Sequence, residues 1–205
     1  MRLDHIVIAV PTLEEGIATF TALGFEVVRG GSHGTTENAL IAFSDGSYIE
    51  LLATTPGLSK TLVKVGANLG LVNLMARRRS DVYRRLLPWL ASSPGPLDWC
   101  VRVDDIEAAL DTCTSADTHT GQSRLAVREF ERALPDGRIA QWYLGSTANF
   151  EFPFFIQDIS DTAIRVPPRS TPHLNGSLGI HTLCLASPNI EQLNCLALSS
   201  KRAKS

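Results

Sequence analysis

A strand followed by a capped helix is written twice in this chain and begun a third time. The first copy runs from Leu3 through Asp4, His5, Ile6 and Val7 to Pro11, Thr12 and Glu15. The second runs from Leu97 through Asp98, Trp99, Cys100 and Val101 to Asp104 and Glu107. The third runs from Ile180 through His181, Leu183 and Leu185 to Pro188, Asn189 and Gln192. Each copy of a repeated unit leaves an apolar face that only another copy can cover, so repetition narrows the choice of fold sharply. Leu3 and Leu97 stand 94 residues apart. That is too far for a solenoid unit of roughly 20–50 residues, and it suits one small module of a paired domain.

Within the first copy, residues 3–10 alternate and are rich in Val and Ile, as a strand is. Thr12 and Glu15 stand at capping-box spacing, and Leu13, Ile17, Phe20 and Leu23 recur at helical spacing up to Gly24, a glycine stop. Residues 25–29 read as a second strand and 30–34, rich in glycine, as a flexible connection. Residues 38–43 and 47–52 read as a hairpin turning at Ser44, Asp45 and Gly46. The order is β-α-β-β-β over residues 1–53. Residues 54–96 read as a linker with a helix near 80–90 that Pro88 breaks. Residues 97–166 repeat the order: strand 97–103, a helix capped from Asp104 with Glu107, a hairpin about Pro135, Asp136 and Gly137, and a closing strand in 150–159. Residues 167–205 read as a linker and a partial third β-α unit with a frayed tail. A lone β-α unit cannot bury its own face, so it must pack on the paired domain or on a second copy of the chain as a homodimer.

Net charge is −2, from 19 Lys+Arg against 21 Asp+Glu, which supplies no overall field for nucleic acid or an anionic membrane. Arg77, Arg78, Arg79, Arg84 and Arg85 form one dense basic cluster, either a solvated helix face or a patch for an anionic partner. No apolar run reaches the roughly 20 residues that span a bilayer. Asp4 and His5 fall where a secretory signal would begin. The four cysteines form no C-x-x-C pair and read as reduced thiols of an intracellular, cytoplasmic protein.

The doubled order resembles the vicinal oxygen chelate superfamily, and within it the glyoxalase-like domain proteins. The similar motifs are Leu3 to Val7, Gly30-Gly31-Ser32-His33, Asn38-Ala39-Leu40, Tyr48-Ile49-Glu50-Leu51, Pro135-Asp136-Gly137 with Trp142, Pro153-Phe154-Phe155-Ile156, and His173-Leu174-Asn175-Gly176. The resemblance implies an α+β fold. Two β-α-β-β-β modules pair into a cupped, mixed, eight-stranded sheet with a small-molecule site inside the cup, often metal-bearing.

His5, Val7 and Ala9 share one face of their strand, as do Tyr48, Glu50 and Leu52 of theirs. An imidazole and a carboxylate converging from two strands suit a divalent ion such as zinc, manganese or iron(II), and the resemblance implies His5 and Glu50 as metal ligands. Aligning the copies puts Trp99 where His5 stands and Gln157 where Glu50 stands. Tryptophan cannot ligate a metal, and glutamine offers only a neutral oxygen. Trp99 either lines the cup or fills the core; Tyr48, Phe155 and Trp142 are expected to line the cup, with Gln157 and Asn38 offering hydrogen bonds to a substrate. His33, on its glycine-rich loop, is a further ligand or base, or simply exposed. Arg102 and Arg128 suit a carboxylate, or the surface. His173 reads as structural.

Three readings remain open at this point. One is a metal-dependent enzyme, a lyase, isomerase or ring-modifying catalyst, with Glu50 or His33 near the proton path. The second is a metal-free protein that binds or sequesters a small molecule. The third is a shortened, inactive relative.

Overall fold

The computed structural model of the chain describes residues 1–33, 35–55, 65–66, 70–117, 123–134, 136–167, 169–186 and 190–196, and for residues 32, 33 and 190 the backbone alone. The first module comprises β1 (Arg2–Ala9), α1 (Leu13–Ala22), β2 (Val28–His33), β3 (Thr36–Ala42) and β4 (Tyr48–Thr54). An insertion follows, with α2 (Leu71–Arg77), α3 (Tyr83–Leu86) and a 3-10 turn at Leu87–Ala91. The second module comprises β5 (Gly95–Arg102), α4 (Ile106–Ala116), β6 (Arg128–Ala133), β7 (Ile139–Gly145) and β8 (Phe154–Asp158), after which comes α5 (Thr162–Arg165).

The local signals explain these elements. Thr12 caps α1 by accepting the Glu15 backbone N–H at 3.2 Å. Gly24 ends the helix at φ 84°, a conformation that costs glycine little. Gly46 and Gly137 take positive φ at the two hairpin turns. Pro88 lies at the start of the 3-10 turn, where the chain abandons α geometry as the proline requires. Two details differ from the sequence reading. The cap of α4 is Asp105, whose side chain accepts the Ala108 N–H at 3.0 Å, one residue later than Asp104. The second strand runs over Val28–His33, so the glycine stretch is part of the sheet rather than a loose connection.

The eight strands form one cupped sheet in the order β2-β3-β4-β1-β5-β8-β7-β6. Each module contributes four consecutive strands, with its first and last strands parallel, and the modules join through antiparallel β1 and β5. One face of the sheet carries the helices. There α4 buries Ile106, Ala109, Leu110 and Cys113 against Trp99, Val101 and Phe155. Full burial of side chains such as Leu110 and Phe155 is worth about 1.5–3 kcal/mol each. Under α1, Leu13 is buried with Ile41 and Leu51, and Ile17 and Phe20 pack beside them. Leu23 is exposed.

β1 carries a bulge. Its register with β5 shifts between Leu3, opposite Val101, and His5, opposite Cys100. The extra residue is Asp4, which is fully buried. The structural counterpart of His5 is therefore Cys100, not Trp99. The parallel pairs agree: His5 stands beside Tyr48 and Val7 beside Glu50, while Cys100 stands beside Phe154 and Arg102 beside Ile156. Glu50 thus corresponds to Ile156, not Gln157. A slip of one residue moves every side chain to the opposite face of a strand.

Residues 180–186 form no strand, and the helix expected after them is a 3-10 stretch, Ile190–Cys195. The apolar side chains of this segment are nevertheless covered within the chain. Leu183, Leu185, Leu193 and Leu196 pack against the α4 core, and Ile180 against the α1 core. Asn189 and residues 201–205 lie outside the described residues. No helix among the described residues is long and apolar enough to cross a membrane.

Candidate functional site

The face of the sheet away from α1 and α4 lines a cavity of about 520 Å³. Its polar end is built by the first module. The His5 imidazole is buried, stacked on Tyr48 at 4.4 Å between ring centres and met edge-on by Phe154 at 5.3 Å. Its Nδ1 lies 2.7 Å from Asp4 Oδ1. A carboxylate only accepts, so Nδ1 carries the proton and Nε2 is turned to the cavity side. There Nε2 stands 3.6 Å from Glu50 Oε2, too far for a hydrogen bond.

Glu50 is held from its other oxygen. Asn38 Nδ2–H donates to Glu50 Oε1 at 2.6 Å, while Asn38 Oδ1 accepts the Gly31 N–H at 2.8 Å. Those two contacts fix which way the amide points. They also explain Gly30. A Cβ on residue 30 would lie 2.1 Å from Asn38 Oδ1, so only glycine lets Asn38 reach Glu50 in this way.

Behind His5 lies a buried ion network. Asp4 accepts from Arg102 and from both terminal nitrogens of Arg165, at 3.2 and 3.0 Å, and Asp158 accepts Arg165 Nε at 2.6 Å. Burial pulls the Asp4 carboxyl upward, but Arg165, His5 and Arg102 outweigh it and hold Asp4 well below the usual carboxylate range. Arg165 Nη1 also donates to the Tyr48 hydroxyl at 2.9 Å. Burial, reinforced by Asp4 and Glu50, pushes that phenol well above its ordinary value, so Tyr48 stays a neutral hydroxyl.

The rest of the lining is largely apolar, with Arg132 among it. Trp142, Phe154, Ile156 and Phe130 come from the second module, and the insertion adds Tyr83, Leu86 and Trp89. Arg85 pins this insertion to the sheet. It is 3% exposed, pairs with Asp98 through contacts of 2.7 and 2.6 Å, and donates to Ser146 Oγ at 3.0 Å. Arg85 therefore leaves the basic cluster for the interior, while Arg77, Arg78 and Arg79 are exposed.

Of the residues singled out in the sequence, the structure brings His5, Glu50, Asn38, Tyr48 and Trp142 to the cavity. It takes three away. Trp99 and Phe155 face α4 in the opposite core. Gln157 also faces that way, its Oε1 accepting the Ile106 N–H at 2.9 Å at the start of α4. Trp99 follows from the bulge at Asp4, and Phe155 and Gln157 from a separate one-residue offset between β4 and β8. The His33 side chain lies outside the described residues, as do His119, Gly34 and Pro135. Arg102 is buried in the ion network rather than free for a ligand, and Arg128 pairs with Asp81 at 2.9 Å on the surface. His173 is structural. Its Nδ1 accepts the Glu26 N–H at 2.9 Å, and its Nε2–H donates to the Ala42 carbonyl at 3.0 Å between the rings of Phe25 and Phe43. The sequence reading missed Asp4, Arg165 and Phe154. Phe154 becomes legible once the copies are aligned by strand face. Arg165 sits on α5, after the last strand of the second module, and carries no local signal.

A resident divalent ion, which the resemblance implies, takes four or more donors. His5 Nε2 and Glu50 Oε2 are two. The corresponding residues of the second module are Cys100, whose thiol is pushed well above its ordinary range by burial and by Asp4, and Ile156, a hydrocarbon. Asp4, His5 and Cys100 do bring donor atoms within 4.8 Å of one another, but both Asp4 oxygens are committed to arginines. Among the described residues, the donor set does not fit a resident divalent ion.

A family profile described as Glyoxalase-like domain matches residues 3–197. A search of curated proteins finds no match. Among solved structures, a hypothetical protein from Staphylococcus aureus aligns with TM-score 0.53 at 20% identity, covering 80% of this chain and 61% of that one. The chain therefore spans about 61% of that protein's length. A glyoxalase family protein from Bacillus cereus aligns at 14% identity and TM-score 0.22, covering 78% of this chain and 95% of that one.

Proposed function

The chain belongs to the glyoxalase-like domain family, and on that footing we propose that its cup binds a small molecule without a resident metal. The molecule has an apolar, ring-sized body and a hydrogen-bond donor at one end. The observation that carries this is the pairing of two proton acceptors, His5 Nε2 and Glu50 Oε2 at 3.6 Å, in a cavity whose other walls are largely aromatic and aliphatic. An O–H placed between them donates to one of the two, and an amine can donate to both. An apolar body buries against Trp142, Phe154 and Trp89 in the manner of ligand pockets generally.

The chemistry open to this end is proton transfer. Asn38 holds Glu50 Oε1 and leaves Oε2 to take a proton from a bound donor. Asp4 holds the imidazole with Nε2 inward and stabilises the imidazolium that forms if the proton goes there. Tyr48, accepting from Arg165, keeps its own O–H to donate.

Calorimetric titration of the dialysed protein with p-cresol, in chelator and in added manganese or zinc, tests the reading. We expect binding in chelator, unchanged by metal, and roughly tenfold weaker in Glu50→Gln or His5→Ala. Binding that requires the metal, or that is indifferent to both substitutions, contradicts it.

A further inference from the structure

Arg132 is the one arginine that lines the cavity without an acidic partner among the described residues. The other, Arg165, is saturated by Asp4 and Asp158. Arg132 lies on β6 two residues from Phe130, and both line the cavity, as residues i and i+2 of a strand share a face. Its Nη2–H donates to the Arg165 carbonyl at 2.6 Å, which anchors the guanidinium and leaves the other four of its five N–H donors without a partner among the described residues. The side chain is half-buried.

Charge bookkeeping around the cup sharpens this. Asp4 and Asp158 balance Arg102 and Arg165. Glu50, at the polar end, is left facing His5, and Arg132 is left with no anion. β6 is one edge strand of the sheet, whereas Asn38 and Glu50 lie on β3 and β4 of the other module, so Arg132 enters the cup from a different wall.

From this placement we infer that the ligand carries a carboxylate that pairs with Arg132, on a different wall from the donor end taken by Glu50 and His5. This rests on the small-molecule reading of the cup and narrows it to a class: aromatic or similarly flat acids with a hydroxyl or amine at the far end. One free guanidinium matches the single charge of a carboxylate, whereas a phosphate monoester brings nearly two. The planar fork of arginine takes a carboxylate through two parallel hydrogen bonds.

The test is a titration of the full chain with 4-hydroxybenzoate, 4-hydroxyphenylacetate and 3-(4-hydroxyphenyl)propionate, each beside its methyl ester. The acid of best-fitting length is expected to bind roughly tenfold or more tightly than its ester. Arg132→Gln removes that preference while leaving ester affinity within about twofold, and Arg132→Lys, which keeps the charge but not the fork, retains part of it. Glu50→Gln weakens acid and ester alike. Esters that bind as tightly as the acids, or a preference that survives Arg132→Gln, overturn the assignment of Arg132 and leave the cup reading intact. Failure of every acid and ester to bind overturns both. Thermal unfolding of the Arg132 variants, expected within a few degrees of the parent, separates lost recognition from lost fold.

Discussion

The two modules share a strand order but not a cup lining. At corresponding places the first presents His5, Tyr48 and Glu50, and the second presents Cys100, Phe154 and Ile156. One half of the bowl is therefore polar and hydrogen-bonded into place, and the other is hydrocarbon and aromatic. A symmetric pair of such modules would offer two imidazoles and two carboxylates to a shared ion. This asymmetric pair offers half of that set and an apolar wall instead. Duplication fixes where side chains point, and the residues at those points decide the chemistry independently.

The sharpest way to break the polar half is Asp4→Ala. It leaves Arg102 and Arg165 buried without their shared carboxylate, an arrangement that costs about 3–5 kcal/mol, read as a lower urea midpoint. The same group sets an acid limit. The folded Asp4 carboxyl lies below its unfolded value of 3.8, so its contribution is complete above about pH 4 and is lost as pH falls toward the folded value.

Making the halves alike is the next test. Cys100→His combined with Ile156→Glu gives the second module the pair that the first one has. Added zinc should then stabilise the double variant by about 2.7 kcal/mol at a hundredfold excess over its Kd, with no such shift in the parent. An equal shift in both would show that the first module's pair alone suffices.

Gly30→Ala acts at the support of Glu50. The new methyl displaces the Asn38 amide, with an expected loss of about 1–3 kcal/mol by analogy with overpacking and weaker binding of a phenol in the cup. A variant as stable and as tight as the parent would remove Asn38 from the account.

The smallest effect belongs to the strap behind the first module. Burial and the nearby Arg169 lower the His173 pKa below its unfolded 6.5. Because Nδ1 must accept the Glu26 N–H, only the neutral ring fits. Stability should be full above pH 6.5 and decline as pH falls below it, and His173→Gln should flatten that slope. A slope unchanged by the substitution would assign it elsewhere.

Much of the fold was legible because its signals are local. Thr12, Gly24, Gly46, Gly137 and Pro88 each act within a few residues, and the doubled β-α-β-β-β order follows from them. His5 and Glu50 were legible as a pair because strand alternation places them on one face. The partners of that pair in the second module were misread by one residue in each strand. The bulge at Asp4 inserts a residue that a linear alignment of the copies cannot see and exchanged Cys100 for Trp99, while the match of Tyr48-Ile49-Glu50 to Phe155-Ile156-Gln157 exchanged Ile156 for Gln157, a register that only strand pairing reveals. Arg165 and Arg132 were out of reach in a different way. Their roles exist only in the folded cup, where the Arg165 side chain meets Asp4, Tyr48 and Asp158 and its carbonyl accepts from Arg132.

A crystal structure of the protein with 3-(4-hydroxyphenyl)propionate, grown in chelator, tests the central claim most directly. The account places the phenol oxygen within hydrogen-bond reach of His5 Nε2 and Glu50 Oε2, with the ring against Trp142 and Phe154. A probe bound outside the cup, or inside it with its phenol turned away from Glu50, would contradict the account.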